Sequence, residues 1–390
     1  MAWSDRHRGW LLTRYDDVAF AFRDARLSAD RMTPTFARLA PEVRAEMAVA
    51  ERHLTRWLVF LDPPDHDRLR RLVSRAFTPP RMEEMRRTVR RLVDDLLDRW
   101  ADAARTDDEV DVHRTLAHPL PTNVVAAVLG VPPDDYLRVA QWSADVAAVV
   151  FGTGSDPSRF VRARRGLEEF DAYIRQIASD IRSGGGKPGL VADLVALRDG
   201  TDRLDDDELV ATCTLLLFAG DETTTVLIGN AFAVLAGAPE ARVRLTADPD
   251  TMAAPAVEEL LRFAGPTKAM VRHTKAEVEL PSGHALPAGE RVYTLVAAAN
   301  RDPDRFDDPD RFDIGRRDNL HLGFGSGIHH CLGAPLARIE VQEVLRAVST
   351  RFPDWVLTST PGWGGGLLGR AAGRVSLRPG PEAAAGRGRP

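Results

Sequence analysis

Phe324-Gly325-Ser326-Gly327-Ile328-His329-His330-Cys331-Leu332-Gly333 sets a single thiol in a glycine-rich loop. From Pro335 onward, Leu336, Ala337, Val341, Val344, Leu345 and Val348 recur on one helical stripe, so the loop runs into the start of an amphipathic helix. Oriented N–H groups at a helix N-terminus lower a thiol pKa and favour the thiolate, the form that binds metal. The glycines let a flat, bulky group lie against the backbone. Two plainer readings stand beside this one. A glycine-rich turn before a helix also cradles phosphate, although no Gly-Lys-Ser/Thr follows here and Phe324 suits that task poorly. A lone cysteine is often only a small buried hydrophobe.

A second segment, Asp205 to Ala236, opens with Asp205 and Glu208 at capping-box spacing. It is then apolar on every side from Val210 to Gly220, which predicts a buried helix. Into that helix fall Asp221, Glu222, Thr223, Thr224 and Thr225. Buried carboxylates are costly unless paired or used. Gly220 weakens the helix by ~1 kcal/mol, and threonine hydroxyls compete for backbone carbonyls. Together they predict a local widening able to admit a small molecule. A kinked core helix with self-satisfied threonines accounts for the same residues without chemistry. Asp221 lies about 100° round the helix from Glu222; it is the rival acid, or it pairs with a cation.

Two shorter elements carry charge. His66 and Arg70, after Asp62-Pro63-Pro64-Asp65, lie one turn apart and form a cationic fork suited to a carboxylate. Glu259 and Arg262 sit at i, i+3, which by itself is a helix pair worth ~0.2–0.5 kcal/mol. Each of these residues alone is also compatible with an ordinary surface position.

The pattern Phe-Gly-x-Gly-x-His-x-Cys-x-Gly resembles the haem-ligand loop of the cytochrome P-450 superfamily, with every specified position present. Three further matches follow in order. Ala219-Gly220-Asp221-Glu222-Thr223 resembles the oxygen-activation motif, His66-x-x-x-Arg70 resembles the propionate element, and Glu259-Leu260-Leu261-Arg262 resembles the Glu-x-x-Arg helix. The resemblance runs from about Trp10 to Leu377. It implies a mainly α fold, a single helix-rich domain over 1–378 with a small β-containing lobe, and haem b as cofactor. Cys331 would be the axial thiolate and metal ligand, with Phe324, Gly325 and Gly333 shaping the loop. His66, Arg70, Arg272 and His329 would clamp the propionates. Glu222 would be the acid and Thr223 the alcohol that deliver the two protons dioxygen needs before its O–O bond breaks. Glu259 and Arg262, with Arg311, would form a buried network behind the loop. Family members carry a few dozen residues before the segment resembling Trp10 to Val18, which sets the expectation that a first short helix and strand are missing here and the β lobe is affected.

The implied activity is monooxygenation: hydroxylation or epoxidation of a small, largely apolar substrate of secondary metabolism. Electrons would come from NAD(P)H through a ferredoxin reductase and a ferredoxin. The alternatives are an atypical haem-thiolate oxidation (phenol coupling, nitration or peroxide-driven chemistry) and a non-catalytic haem sensor. An arginine-rich face, Arg68, Arg71 and Arg75 with Arg86, Arg87, Arg90 and Arg91, either docks an acidic ferredoxin or is a solvated face neutralised by Glu83 and Glu84. Lys268, in a loop expected to shape the pocket together with residues 28–60, meets either a substrate anion or solvent.

Composition agrees with this class. The chain has 390 residues, is 44% hydrophobic and carries a formal charge of −5, with no basic excess pointing to nucleic acid. The first residues lack the apolar core of a signal peptide, and no membrane-length apolar run stands out, so a cytoplasmic monomer without a membrane anchor is expected. Cys213 and Cys331 are the only cysteines, too few for a disulfide framework. Helical periodicity is expected over 66–76, 80–103, 117–130, 133–150, 158–183, 205–236, 250–263 and 335–351. Strands are expected near 8–14, 271–280, 290–297 and 373–378. Residues 151–157 read as a mobile lid and 379–390 as a disordered tail.

Overall fold

A computed structural model describes residues 1–106, 108–150, 158–185, 187–197 and 202–383. The fold is organised on the helix Asp206–Ala236. Its capping box forms as expected: Asp205 Oδ1 accepts from Glu208 N at 2.7 Å, and Glu208 Oε2 accepts from Asp205 N at 3.0 Å. Leu209, Val210, Cys213, Leu217, Leu227, Ile228 and Ala231 bury themselves in the main core. Among the described residues this is the one helix long and apolar enough to cross a membrane. The sequence reading had found no such run; the helix is apolar because it is the centre of the core, packed by neighbours on most sides.

The helices Pro79–Thr106, Pro119–Leu129, Pro249–Ala264 and Ala334–Arg351 supply much of the rest of that core. Trp100 reaches Phe232 and Phe352 there, with ring centroids 5.8 and 6.0 Å apart. These long helices follow the expected boundaries within a few residues. The shorter ones Tyr15–Ala21, Met32–Ala37, Pro41–Glu46, Ala48–Leu54, Leu190–Ala196 and Pro239–Ala247 were not expected. In none does the residue just before the helix cap it with its own side chain, although Asp30 accepts from Met32 N and Thr33 N and Asp302 accepts from Tyr15 N; helices this short depend on tertiary packing.

The β lobe is built on a five-stranded sheet. Its five strands are ordered Ala2–Ser4, Gly9–Leu12, Arg291–Thr294, Met270–Thr274 and Leu27–Ser28. All neighbours are antiparallel except Gly9–Leu12 and Arg291–Thr294, which run parallel. Of the first short helix and strand expected to be missing, a strand is found, Ala2–Ser4, which fills that edge with Trp3 opposite Trp10, while no helix is described before Tyr15–Ala21. The lobe closes over its own core of Leu12, Val18, Leu27, Val278, Leu286 and Val292.

Residues 32–60 form a third cluster, in which Phe36, Met47, Leu54, Trp57 and Phe60 pack against Ala211 and Phe218 of the central helix. His53 is fully buried beside it. Its Nε2 lies 3.1 Å from Asp171 Oδ1, yet no hydrogen bond forms at either ring nitrogen. Desolvation pushes its pKa down to about 4; Asp171 and Asp207 oppose this, while Arg52 and Arg175 reinforce it. The neutral ring is thus favoured by folding. Its stabilising contribution is complete above the ordinary value near 6.5 and is lost as pH falls toward about 4, at most about 3 kcal/mol in total. Urea midpoints should therefore fall across that window in the parent protein and fall less in His53→Leu; equal slopes would show that another group governs the acid limb.

Candidate active site

Cys331 leaves the loop just before the helix Ala334–Arg351. Its N–H donates to Phe324 O at 3.0 Å, which folds the ten-residue motif back on itself. Gly325 and Gly327 take φ values of 71° and 70°, the left-handed region that favours glycine. A side chain on Gly327 would also meet Phe22 O at 2.6 Å. The loop is pinned from several directions: Tyr15 Oη donates to Leu320 O at 2.6 Å, and Arg23 Nε donates to Ser326 Oγ at 2.9 Å. Glu258, absent from the sequence reading, binds His321 at 3.1 Å and Arg338 at 2.7 and 2.9 Å. Burial opposes ionisation of Glu258, but these two partners hold its carboxyl down at about 2. The Arg338 guanidinium in turn covers the Phe324 ring at 4.6 Å.

One side of Cys331 is exposed, while protein surrounds the rest. That desolvation pushes the thiol up. The Gly333 and Ala334 N–H groups and the Arg70 and Arg338 guanidinium groups act in the lowering direction expected from sequence, without overcoming it. In the protein alone the expected depression of the thiol is therefore outweighed.

The four residues expected at the propionates converge. The His66 and His329 rings are 4.4 Å apart, and the His329 ring feels Arg272, His66 and Arg70. Desolvation, with Arg272 next in weight, pushes His329 down to about 3, so its ring is neutral. His66 is buried; Nδ1 meets Asp67 Oδ1 at 2.9 Å, and Nε2 has no partner. Arg272 is buried too, donating among the described residues only to Val271 O at 2.9 Å, and desolvation lowers its pKa to about 10. Arg70 is half-buried and makes no hydrogen bond or ion pair among the described residues. Buried donors that lack acceptors ask for an anion. A side chain on Gly333 would meet nothing within 4 Å, which leaves room for a flat group beside Cys331. Among the described residues no group of three or more potential ligands could hold a metal ion, so one thiolate donor suits iron carried in a macrocycle. The residues present fit haem b.

On the central helix, Leu215, Ala219, Glu222, Thr223 and Val226 share one face and, with Leu216, Gly220 and Gly229 at its edges, form the accessible side of its middle. Glu222 is exposed on that side. Burial of its surroundings, and then the charge of Asp221, raise its carboxyl above the usual range. Asp221 turns away, is 4% exposed and accepts from Thr122 Oγ1 at 2.9 Å. The rival acid therefore meets a neutral hydroxyl rather than a cation, and it is withdrawn from the accessible face. The helix runs unbroken through Gly220, so the expected widening is not seen. A side chain there would come 2.7 Å from Val125 Cγ2, and close packing of the neighbouring helix is what calls for glycine. Thr223 Oγ1 donates to Ala219 O at 2.7 Å, which leaves its lone pairs free to accept.

Two further expectations change. Glu259 does bind Arg262, at 2.8 and 2.7 Å, but the second guanidinium on its carboxylate, at 3.3 Å, belongs to Arg316. Arg311 contributes its backbone carbonyl to Arg262 instead. The arginine face is largely engaged: Arg68 with Asp202 and Glu208, Arg71 with Asp202, and Arg86 and Arg90 with Glu343. The lid expected at 151–157 lies outside the described residues. Of the expected tail, Glu382 pairs with Arg351 at 2.6 Å, and residues 384–390 lie outside the described residues.

A sequence-family profile described as "Cytochrome P450" matches residues 38–353. Cytochrome P450 107B1 of Saccharopolyspora erythraea is 38% identical over 95% of this chain and 89% of its own length. Mycinamicin IV hydroxylase/epoxidase of Micromonospora griseorubida is 37% identical over 88% of this chain and 82% of its own. The crystal structure of substrate-free CYP109E1 from Bacillus megaterium superposes with a TM-score of 0.86 at 29% identity, covering 97% of this chain and 94% of that one.

Proposed function

The chain belongs to the cytochrome P450 family, and from that premise we propose that Cys331 is its thiolate ligand, with Glu222 and Thr223 handling protons for the oxidation of a small, largely apolar molecule. The protein is a haem-thiolate monooxygenase. Haem b, when bound, supplies dioxygen activation with electrons that redox partners pass on from NAD(P)H. His66, Arg70, Arg272 and His329 hold its carboxylates, and the Gly325–Gly333 loop presents the sulfur. Glu222 is the acid on the accessible face of the central helix, with its carboxyl raised above the usual range by burial and then by the charge of Asp221. Thr223 accepts a hydrogen bond from the oxygen or water that receives the proton, because its own hydrogen is committed to Ala219. Asp221, held by Thr122, stays out of the pocket and favours the protonated form of Glu222 by its charge.

The observation that carries this reading is the acid–alcohol pair on the accessible side of a helix whose middle is otherwise buried. Hydroxylation or epoxidation is favoured by analogy with the mycinamicin IV enzyme. A ferredoxin and its reductase as electron donors, a cytoplasmic location, a monomeric state and a single domain over 1–378 complete the proposal. Cys331→His should retain some haem yet lose the red-shifted Soret band of the reduced carbon-monoxide complex. Cys213→Ser should leave that band unchanged, since Cys213 is fully buried on the central helix with its thiol pushed up to about 12. A normal band in Cys331→His would identify a different ligand.

A further inference from the structure

Two histidines beside the central helix have no part in the chemistry described so far. Residues His113–Ala117 form a π-turn that leads into the helix Pro119–Leu129 and packs against the central helix. Pro119 has no N–H to donate to Thr115 O, and the turn widens: His118 N donates to His113 O, five residues back, at 3.0 Å. On an α-helix, residues five apart point about 140° away from each other. Here the His113 and His118 rings come together, with centroids 5.7 Å apart and planes 36° apart. Trp100 Nε1 anchors the turn by donating to Thr115 Oγ1 at 2.9 Å.

His113 is exposed and His118 half-buried. Thr122 Oγ1 lies 2.9 Å from both His118 O and Asp221 Oδ1, which ties the turn to the segment that carries Glu222. These side chains feel one another's charge. Desolvation and then His118 lower the His113 pKa, while Asp111 and Asp221 oppose them. The Glu222 carboxyl, raised by burial and by Asp221, feels His118 as the opposing charge. Asp111 is otherwise engaged: it accepts from His113 N at 2.9 Å and Arg114 N at 3.2 Å, and Arg374 lies at 3.3 Å. The Arg114 side chain is exposed. Glu340, buried on the helix Ala334–Arg351, joins the cluster through Asp221, the second cause of its raised pKa after desolvation.

Each dioxygen consumed takes two protons past Glu222 and Thr223, and each must be replaced from solvent. We propose that the π-turn is the proton entrance of this site, with His113 taking protons from solvent and His118 passing them to Glu222. This rests on the monooxygenase reading above. The step moves one proton and no electrons: an N–H bond of the His118 imidazolium breaks and an O–H bond of the Glu222 carboxyl forms. The neutral ring is then recharged through His113. Both histidines act through Glu222 and are positioning residues.

Holoprotein, first shown to give the thiolate carbon-monoxide band, is supplied with NADH and a surrogate ferredoxin and reductase, raised until dioxygen consumption no longer depends on them. Absence of that band would overturn the monooxygenase reading itself, before any rate is read. His118→Gln should slow dioxygen consumption about tenfold or more and raise its solvent deuterium isotope effect. Haem content, carbon-monoxide spectrum and urea midpoint should match the parent. Made on top of Glu222→Gln, the same substitution should add nothing, because both interrupt one relay. His113→Gln, at an exposed position where folding is not at stake, should also slow consumption. In the diamagnetic carbon-monoxide complex, ring NMR should show the His113 midpoint falling in Asp221→Asn and rising in His118→Gln. An unchanged rate and isotope effect in either histidine variant overturns the proposal. So does slowing that multiplies with that of Glu222→Gln, or a His113 midpoint that ignores both substitutions. Loss of haem or stability in His118→Gln beside a parental rate in His113→Gln overturns it as well, by assigning the pair to the fold.

Discussion

Glu259→Ala is expected to cost about 3–5 kcal/mol and to remove soluble protein and haem content together. The side chains of Glu259 and Arg262 are both wholly buried. Besides Arg262, the carboxylate accepts from Asp313 N at 2.9 Å and Asn319 Nδ2 at 3.2 Å, and Arg316 lies at 3.3 Å. Arg262 also donates to Asn300 O, Pro309 O and Arg311 O at 2.9, 2.8 and 3.0 Å. The pair therefore ties the helix Pro249–Ala264 to the whole approach of the cysteine loop. Truncation to alanine leaves a buried guanidinium with no counter-charge and several backbone groups without their anchor. Glu259→Gln keeps the shape and some of the hydrogen bonds but loses the charge, and should fall between. Urea midpoint and haem per protein would be measured side by side. A stable, fully loaded Glu259→Ala protein would show that the network is dispensable.

Thr223→Ala and Glu222→Gln should fail in different ways. Removing the hydroxyl leaves the thiolate and the pocket in place, so haem content and the carbon-monoxide spectrum should be unchanged. NADH consumption should continue, with more electrons leaving as hydrogen peroxide and fewer as product, and Thr223→Ser should restore the ratio. Glu222→Gln removes the proton donor itself, so turnover should slow on the order of a hundredfold. The raised carboxyl also sets a pH signature. Glu222 stays protonated to higher pH than an ordinary glutamate, and turnover should decline only above its folded pKa. Asp221→Asn removes one cause of that elevation and should move the decline to lower pH. Wild-type coupling in Thr223→Ala would remove the assigned role of the hydroxyl.

The long elements and the haem loop were legible in the sequence because each carries its own signal. The capping box at Asp205 and Glu208, the apolar run behind it, and the Cys331 motif needed no knowledge of neighbours. What escaped depends on tertiary geometry. Whether Arg311 or Arg316 reaches Glu259 is decided by how the segment before the loop turns, which spacing does not encode. Glu258 and Arg338, eighty residues apart, meet only once two helices pack. Asp221 and Glu222 look alike as letters; the Thr122 hydroxyl and the accessible strip tell them apart.

The cysteine loop is held by Tyr15, Arg23, Glu258 and Arg338, all of them groups of the polypeptide itself. Ordering a segment costs roughly 1–2 kcal/mol per residue in backbone entropy, and these contacts within the polypeptide are what folding sets against that cost, so loosening any one of them should be felt as mobility of the cysteine loop.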